Sequence, residues 1–177
     1  KKDYRLILID ARGHGDSDKP HDPKDYDLKL RVKDVLAVMD EMGVEKAHYM
    51  GYSMGARIGF GLILHALDRF QSLIIGGMSP YQTGGNIQPQ DRIELLRRGM
   101  EGYVADAESQ EGPMEPARRE RLLANDPEAL IAATSAPRGT EDLEERLPTI
   151  NIPCLLYCGE TDGFLAGSKK CSETIPN

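Results

Sequence analysis

The stretch AHYMGYSMGA, residues 47–56, contains a G-x-S-x-G motif centred on Ser53. Ala47 to about Tyr52 predicts a short buried strand, and the small residues from Met54 to about His65 predict a helix. A serine between a strand and a helix is typical of a nucleophile turn, in which the hydroxyl projects from a sharp bend. A glycine-rich turn with an inert serine is the alternative, and the strand and helix on either side favour the nucleophile.

The glycines of this motif are expected to make the bend possible. The residues two before and two after the serine must lack bulk, and Gly51 and Gly55 meet that requirement. The Met54 N–H lies at the predicted helix start, where free amides and the helix dipole favour an oxyanion. We therefore expect Ser53 to attack and the Met54 N–H to stabilise the negative charge.

Other apolar runs and helical spacings extend the pattern on both sides of the motif. Apolar residues recur at helical spacing from Leu28 to Met42, and Gly43 predicts the end of that helix. Short apolar runs predict buried strands, and these lie at Arg5–Asp10, Ser72–Ile75 and Cys154–Cys158. Strands that alternate with helices predict an α/β fold with a mostly parallel sheet and helices on both faces.

A longer insertion between the last two predicted strands lacks strand candidates. It predicts four helices separated by Gly and Pro breaks, at Gln90–Ala107, Glu115–Ala124, Pro127–Thr134 and Glu141–Leu147. We interpret this insertion as a small helical cap over one edge of the sheet.

Composition excludes several classes of function. The 177 residues carry a formal charge of −7 with a pI of about 5.1, which argues against a nucleic-acid partner. No apolar run reaches the ~20 residues of a membrane helix, and the first residues do not resemble a secretory signal. The three cysteines match no metal-type spacing, and we expect reduced thiols in a cytoplasmic protein.

Three motifs together resemble a known family. They are DARGHGDSDKP at residues 10–20, GYSMG at residues 51–55 and GETD at residues 159–162. In this order they resemble the α/β-hydrolase superfamily, and most of all its bacterial esterase, lactonase and haloperoxidase-like serine hydrolases. The resemblance implies a hydrolase core with the nucleophile elbow at 1–83, a cap at 84–148 and the catalytic acid loop at 149–177.

The resemblance also implies an acid. Asp162 matches the family's G-x-x-D position, where the carboxylate would accept the imidazole Nδ1–H and orient the ring. An Asx-type turn before Gly163 is the structural alternative for Asp162. Glu160 is the weaker candidate acid.

The base that this chemistry needs is not evident. The family's histidine follows the acid, but the four histidines here are His14, His21, His48 and His65, all before Asp162. His14 is expected to lie nearest the active edge of the sheet, because it follows the first predicted strand, although the resemblance gives it a loop-shaping role. The resemblance further implies N-terminal strands with an HG-type oxyanion motif and a last strand with the histidine. We therefore expect an internal piece of a longer hydrolase, and activity of this stretch by itself is doubtful.

Two further sets of residues allow more than one interpretation. Asp10, Asp16 and Asp18 with His14 predict turn and cap interactions rather than a metal site. A further group of apolar and aromatic residues is explained equally well by an apolar acyl pocket and by ordinary core packing. Its members are Met78, Met100, Tyr81 and Phe164.

The function that these expectations favour is a serine hydrolase acting on a carboxylic ester, a lactone or a related acyl bond of a small molecule. It would need no cofactor, no metal and no membrane. A non-catalytic α/β-hydrolase-like binding or signalling module is the alternative. An epoxide hydrolase or a haloalkane dehalogenase would need aspartate in place of Ser53. The oligomeric state remains open.

Overall fold

The computed structural model describes residues 3–81, 88–137, 139–140 and 142–176. The chain divides into two compact units. The first holds the described residues up to Tyr26 together with Pro89–Ala136, and the second holds the described residues of 27–88 and 137–176. The core and cap boundaries expected at residues 84 and 148 stay a prediction.

The secondary structure of the described residues alternates strands with helices. In chain order the elements are a 3-10 turn at Pro23–Tyr26, α1 (Leu28–Glu41), β1 (Ala47–Tyr52), α2 (Met54–His65), a 3-10 turn at Leu67–Arg69, β2 (Phe70–Gly76), α3 (Pro89–Arg97), α4 (Gly99–Glu111), α5 (Pro116–Leu123), α6 (Pro127–Ser135), α7 (Leu143–Arg146), a 3-10 turn at Leu147–Thr149, β3 (Cys154–Tyr157) and α8 (Leu165–Thr174).

The second unit contains a parallel sheet, and the described residues form three strands in the order β1-β2-β3. Tyr52 pairs with Gly76, and Gly76 pairs with Tyr157, so all strands end at one edge. The three strands predicted from position 47 onward are confirmed, with β2 longer than expected. This sheet and its helices confirm the α/β class.

Two helices of the second unit position the nucleophile turn. The Asp27 carboxylate caps α1 by accepting a hydrogen bond from the Lys29 N–H at 2.8 Å, and Leu28 and Val32 are buried. Helix α2 packs against α1 at Gly61, where a β-carbon would come within 2.8 Å of both Leu28 and Val32. The helices predicted at these positions are confirmed.

The first unit is helical in its later part. Leu96, Met100 and Leu130 form one buried cluster, so Met100 serves core packing here. The single helix expected over Gln90–Ala107 is wrong, because α3 and α4 are separate helices. Gly99 has φ of +78°, a left-handed conformation that interrupts the helical hydrogen-bond pattern.

The strand expected at Arg5–Asp10 is also wrong. This segment carries no strand assignment in the described residues, and Leu6 and Leu8 are 68% and 92% exposed. A strand exists only where its backbone groups pair with a neighbour. The apolar pattern alone therefore did not suffice to form one.

Candidate active site

Ser53 occupies a strained turn at the carboxyl end of β1. Its φ of +51° and ψ of −108° make it the one described non-glycine residue with positive φ. The Ser53 N–H donates to the Gly76 carbonyl at 2.8 Å, and the Ser53 carbonyl accepts from the Arg57 N–H at 3.1 Å. The turn is thus held by β2 on one side and by α2 on the other, which maintains a conformation that costs about 1–3 kcal/mol.

The two glycines of the motif differ in what surrounds them. A β-carbon on Gly51 would lie 2.4 Å from the Gly55 carbonyl carbon and 2.9 Å from the Ala56 nitrogen. A β-carbon on Gly55 would meet only the Tyr49 hydroxyl, at 3.9 Å. That hydroxyl donates to the Gly55 carbonyl at 2.7 Å, and burial raises the pKa of Tyr49. There is therefore no room for a β-carbon at Gly51, whereas Gly55 has space for one.

The Ser53 hydroxyl is available for chemistry. Ser53 is exposed, and it precedes α2 without capping the helix through its side chain. Within the part of its unit that the structure describes, its Oγ makes no hydrogen bond. The Met54 N–H is the first amide of α2 and has no carbonyl one turn earlier to accept it. A hydroxyl and an open amide therefore follow each other on one turn.

Asp162 lies in the turn after β3. Its Oδ1 accepts a hydrogen bond from the Phe164 N–H at 2.9 Å, and its N–H donates to the Gly159 carbonyl at 3.1 Å. The Asx turn weighed from the sequence is therefore present. It occupies Oδ1, and Asp162 is only partly buried. An Asx turn and an acid role are compatible, since a carboxylate accepts several hydrogen bonds.

Ser53 and Asp162 follow strands that end at the same edge of the sheet. β2 lies between β1 and β3, so the ends of these two strands are about 10 Å apart at the usual strand spacing. An imidazole with a hydrogen bond at each nitrogen spans about 7–8 Å, so the two side chains must extend toward each other for one histidine to contact both.

Cys158 is a neighbour of Asp162, whereas the sequence predicted only that it is a reduced thiol at the end of a strand. It lies just after β3. Burial raises the pKa of the Cys158 thiol, and the negative charge of Asp162 and a hydrogen bond with it raise that pKa further, while Ser168 opposes them. Its position at the end of a predicted strand, four residues before Asp162, was the signal that could have revealed this neighbour. All three cysteines are free thiols, as expected.

The histidines of the second unit lie far from Ser53. His48 is near the start of β1, five residues before Ser53 and about 16 Å away at strand rise, and its Nδ1 is 2.8 Å from the Ser72 hydroxyl. His65 ends α2, about 18 Å away at helical rise. Neither can accept the Ser53 proton.

The histidines of the first unit have partners within that unit. The ring nitrogens of His21 lie 2.9 Å from Asp126 and 3.0 Å from Glu128. A hydrogen bond with Asp126 raises the pKa of His21 most; burial lowers it, and the charges of both carboxylates raise it further. The Nδ1 of His14 lies 3.4 Å from the Arg12 carbonyl.

The aspartate-rich segment near His14 forms a turn, as expected. An Asp10 side-chain oxygen accepts from the Asp16 N–H at 3.1 Å, and the Asp10 carbonyl accepts from the Ser17 hydroxyl at 2.6 Å. The described residues contain no group of three or more His, Cys, Asp or Glu that could hold a metal ion. In the same part of the chain, no helix has the length and apolar character needed to cross a membrane.

The fold and this turn define a class of protein. The family described as "alpha/beta hydrolase fold" matches residues 1–132, about three-quarters of the chain. The chain therefore belongs to the α/β-hydrolase family, as the motifs indicated.

Individual relatives differ in their names. The chain is 31% identical over 196 residues to a Bacillus subtilis protein that carries the name of a 2-succinyl-6-hydroxy-2,4-cyclohexadiene-1-carboxylate synthase, covering 99% of this chain and 71% of that protein. It is 26% identical over 170 residues to the 3-oxoadipate enol-lactonase 1 of Acinetobacter baylyi, covering 92% and 63%. The crystal structure of a hydrolase from Pseudomonas aeruginosa has a TM-score of 0.74 and 29% identity, covering 94% and 66%. The chain thus spans roughly two-thirds of the proteins that it matches.

Proposed function

We propose that this chain carries the nucleophile, the acid and one oxyanion donor of a serine hydrolase that acts on carboxylic esters, lactones or related acyl bonds. The observation that supports the proposal most is the conformation of Ser53, which is exposed and held at positive φ between β1 and α2, with no side-chain cap to the helix. A strained serine of this kind persists only where the surrounding structure imposes it.

The proposed reaction runs through an acyl-enzyme. The Ser53 Oγ attacks the acyl carbon while a base takes its proton, and the Met54 N–H stabilises the oxyanion that forms. Collapse of this intermediate breaks the bond from the acyl carbon to the leaving oxygen, which takes up the proton. Water then attacks the acyl group and releases the acid and free Ser53. Asp162 orients the base, a histidine that this sequence does not supply after the acid.

The names of the relatives support an acyl substrate. An enol-lactonase and a protein described only as a hydrolase are among them, and a lactone is a cyclic ester. We propose a small ester or lactone as substrate, with the enzyme in the cytoplasm. We also propose that residues 84–148 form a small helical cap.

A binding module without catalysis is the second candidate. The distance of about 16 Å from Ser53 to the nearer histidine of its own unit favours it, since a serine without a base is a poor nucleophile. The two candidates differ in whether an acyl group ever becomes attached to Ser53.

Rapid-mixing mass spectrometry with p-nitrophenyl esters separates the two. The full-length protein is expected to gain the acyl mass on the peptide that contains Ser53, and to release p-nitrophenolate at the same rate. Ser53→Ala should remove both signals, whereas Ser135→Ala, in an exposed serine whose hydroxyl bonds to the Ile131 carbonyl, should remove neither. A folded protein that binds the ester without acylation would support the binding module instead.

A further inference from the structure

A cleft of about 700 Å³ lies in the second unit at the amino-terminal ends of its strands. Lys46 directly precedes β1, Phe70 begins β2, and Ile152 lies two residues before β3. Ser53 and Asp162 follow the opposite, carboxyl ends of these strands. The cleft is therefore separate from the candidate active site, and its volume falls in the range of small-molecule sites.

The inner wall of the cleft is apolar. Ile63, Ala66 and Phe70 are buried, with 2%, 5% and 3% of their surfaces exposed. Leu67 and Ile152 also line the cleft and are half-buried. A short hydrocarbon chain could cover this surface and remove it from water, which stabilises binding.

The rim of the cleft carries an excess of positive charge. Lys46 and Arg146 line it together with His65, against a single lining carboxylate, that of Asp68. Among the described residues neither Lys46 nor Arg146 takes part in an ion pair. Arg69, which does not line the cleft, is by contrast paired with Asp40 at 2.6 Å. Two cations thus remain available above an apolar wall.

The titration of His65 agrees with a positive local potential. Burial lowers the pKa of His65 most, and the charges of Lys29 and Arg146 lower it further. The carboxylates of Asp27 and Asp142 act in the opposite direction without reversing the shift. Part of the shift therefore comes from nearby cations, among them Arg146 of the cleft rim.

We propose that this cleft is a second binding site, for a small carboxylate with a short apolar chain. The carboxylate would pair with Lys46 and Arg146, and the chain would pack on Ile63 and Phe70. Charge and apolar surface are both needed, so neither a neutral alcohol nor acetate should match the affinity of the intact amphipathic anion. The proposal does not depend on the hydrolase activity.

Titration of the ¹⁵N-labelled protein with hexanoate, followed by NMR, tests this site. We expect backbone amide shifts around Lys46, His65–Phe70 and Arg146–Ile152, with hexanol and acetate binding about tenfold more weakly or worse. Shifts confined to the residues around Ser53, or equal binding of hexanol, would overturn the proposal.

Variants of the two rim cations provide the second part of the experiment. Lys46→Gln with Arg146→Gln should weaken hexanoate binding at least about tenfold, while Lys46→Arg should retain most of it. Lys33→Gln removes one positive charge from an exposed position on α1 outside the cleft and should change nothing. Binding that the double variant leaves unchanged, in a protein whose amide spectrum remains folded, would refute the assignment.

Discussion

Gly51 packs so closely against Gly55 that a β-carbon on Gly51 would lie 2.4 Å from the Gly55 carbonyl carbon. This approach brings the end of β1 and the first turn of α2 together on either side of Ser53. The distance is far below an ordinary van der Waals contact, and the atom in the way belongs to the backbone, which cannot rotate aside as a side chain does.

Gly51→Ala is expected to destabilise the protein, because the added methyl group must push the two backbones apart. Overpacking of this kind costs about 1–3 kcal/mol. Gly55→Ala is the matched control: its methyl group would meet only the Tyr49 hydroxyl, at 3.9 Å, and alanine is favoured over glycine in a helix by up to about 1 kcal/mol. Urea unfolding of both variants checks the difference, and equal stabilities would contradict the close packing.

Ser53→Gly is expected to be more stable than Ser53→Ala, although both remove the hydroxyl. At φ of +51° and ψ of −108° alanine keeps the backbone strain of serine, whereas glycine relieves it. Relief of the backbone strain stabilises the glycine variant by about 1–3 kcal/mol. The greater freedom of glycine in the unfolded chain offsets part of this, so the free energies of unfolding of the two variants should differ by about 1 kcal/mol. Chemical denaturation measures this difference, and a more stable alanine variant would show that the turn is unstrained.

Asp162→Asn is expected to speed alkylation of Cys158. The asparagine oxygen can still accept from the Phe164 N–H, so the turn persists, but the negative charge beside the thiol is lost. Burial keeps the pKa of Cys158 raised, while removal of the carboxylate lowers that pKa and increases the thiolate fraction. Iodoacetamide labelling rates mapped by mass spectrometry report the change. Glu160→Gln, which removes a charge from the same loop, should leave the rate unaltered, and an equal effect would place the thiol away from Asp162.

His21→Gln is expected to destabilise the protein more at a pH of about 5.5 than at about 8.5. The pKa of His21 is raised above 6.5 by its hydrogen bond with Asp126, so the bond contributes fully below that value and is lost as the pH rises through the folded-state pKa. Burial is the largest single influence on Asp126 and raises its pKa, but the hydrogen bond and charge of His21, together with the backbone N–H groups of Ala129 and Glu128, lower the pKa overall. Thermal midpoints across this range provide the measurement.

His65→Gln supplies the opposite trend as a control. Because the pKa of His65 is lowered, mainly by burial, protonation at low pH disfavours the folded state, and the variant escapes this penalty. Its stability relative to the parent should therefore rise as the pH falls. The same pH trend in both variants would refute the two opposite shifts.

Local patterns predicted the sheet and the helices next to Ser53. β1 to β3 are apolar runs bounded by turn residues, and α1 has helical spacing followed by Gly43, so each signal lies within the element or directly beside it. The strand expected at Arg5–Asp10 failed because pairing depends on a neighbour, which an apolar run cannot guarantee. Gly99 was accepted inside a helix because the pattern cannot show its φ of +78°.

Contacts between residues far apart in the chain could not be predicted from the sequence, because they depend on how separate elements pair and pack. The hydrogen bond from the Ser53 N–H to the Gly76 carbonyl depends on the register of β1 and β2. The effect of Asp162 on Cys158 depends on how the loop after β3 folds. Lys46 and Arg146 line one cleft although a hundred positions separate them.

Fluorophosphonate labelling of the full-length protein tests the central claim, that Ser53 is an activated nucleophile. We expect one adduct, on the peptide that contains Ser53, absent in Ser53→Ala and unchanged in Ser135→Ala. A folded protein that takes up no label, or a label that survives Ser53→Ala, would contradict it.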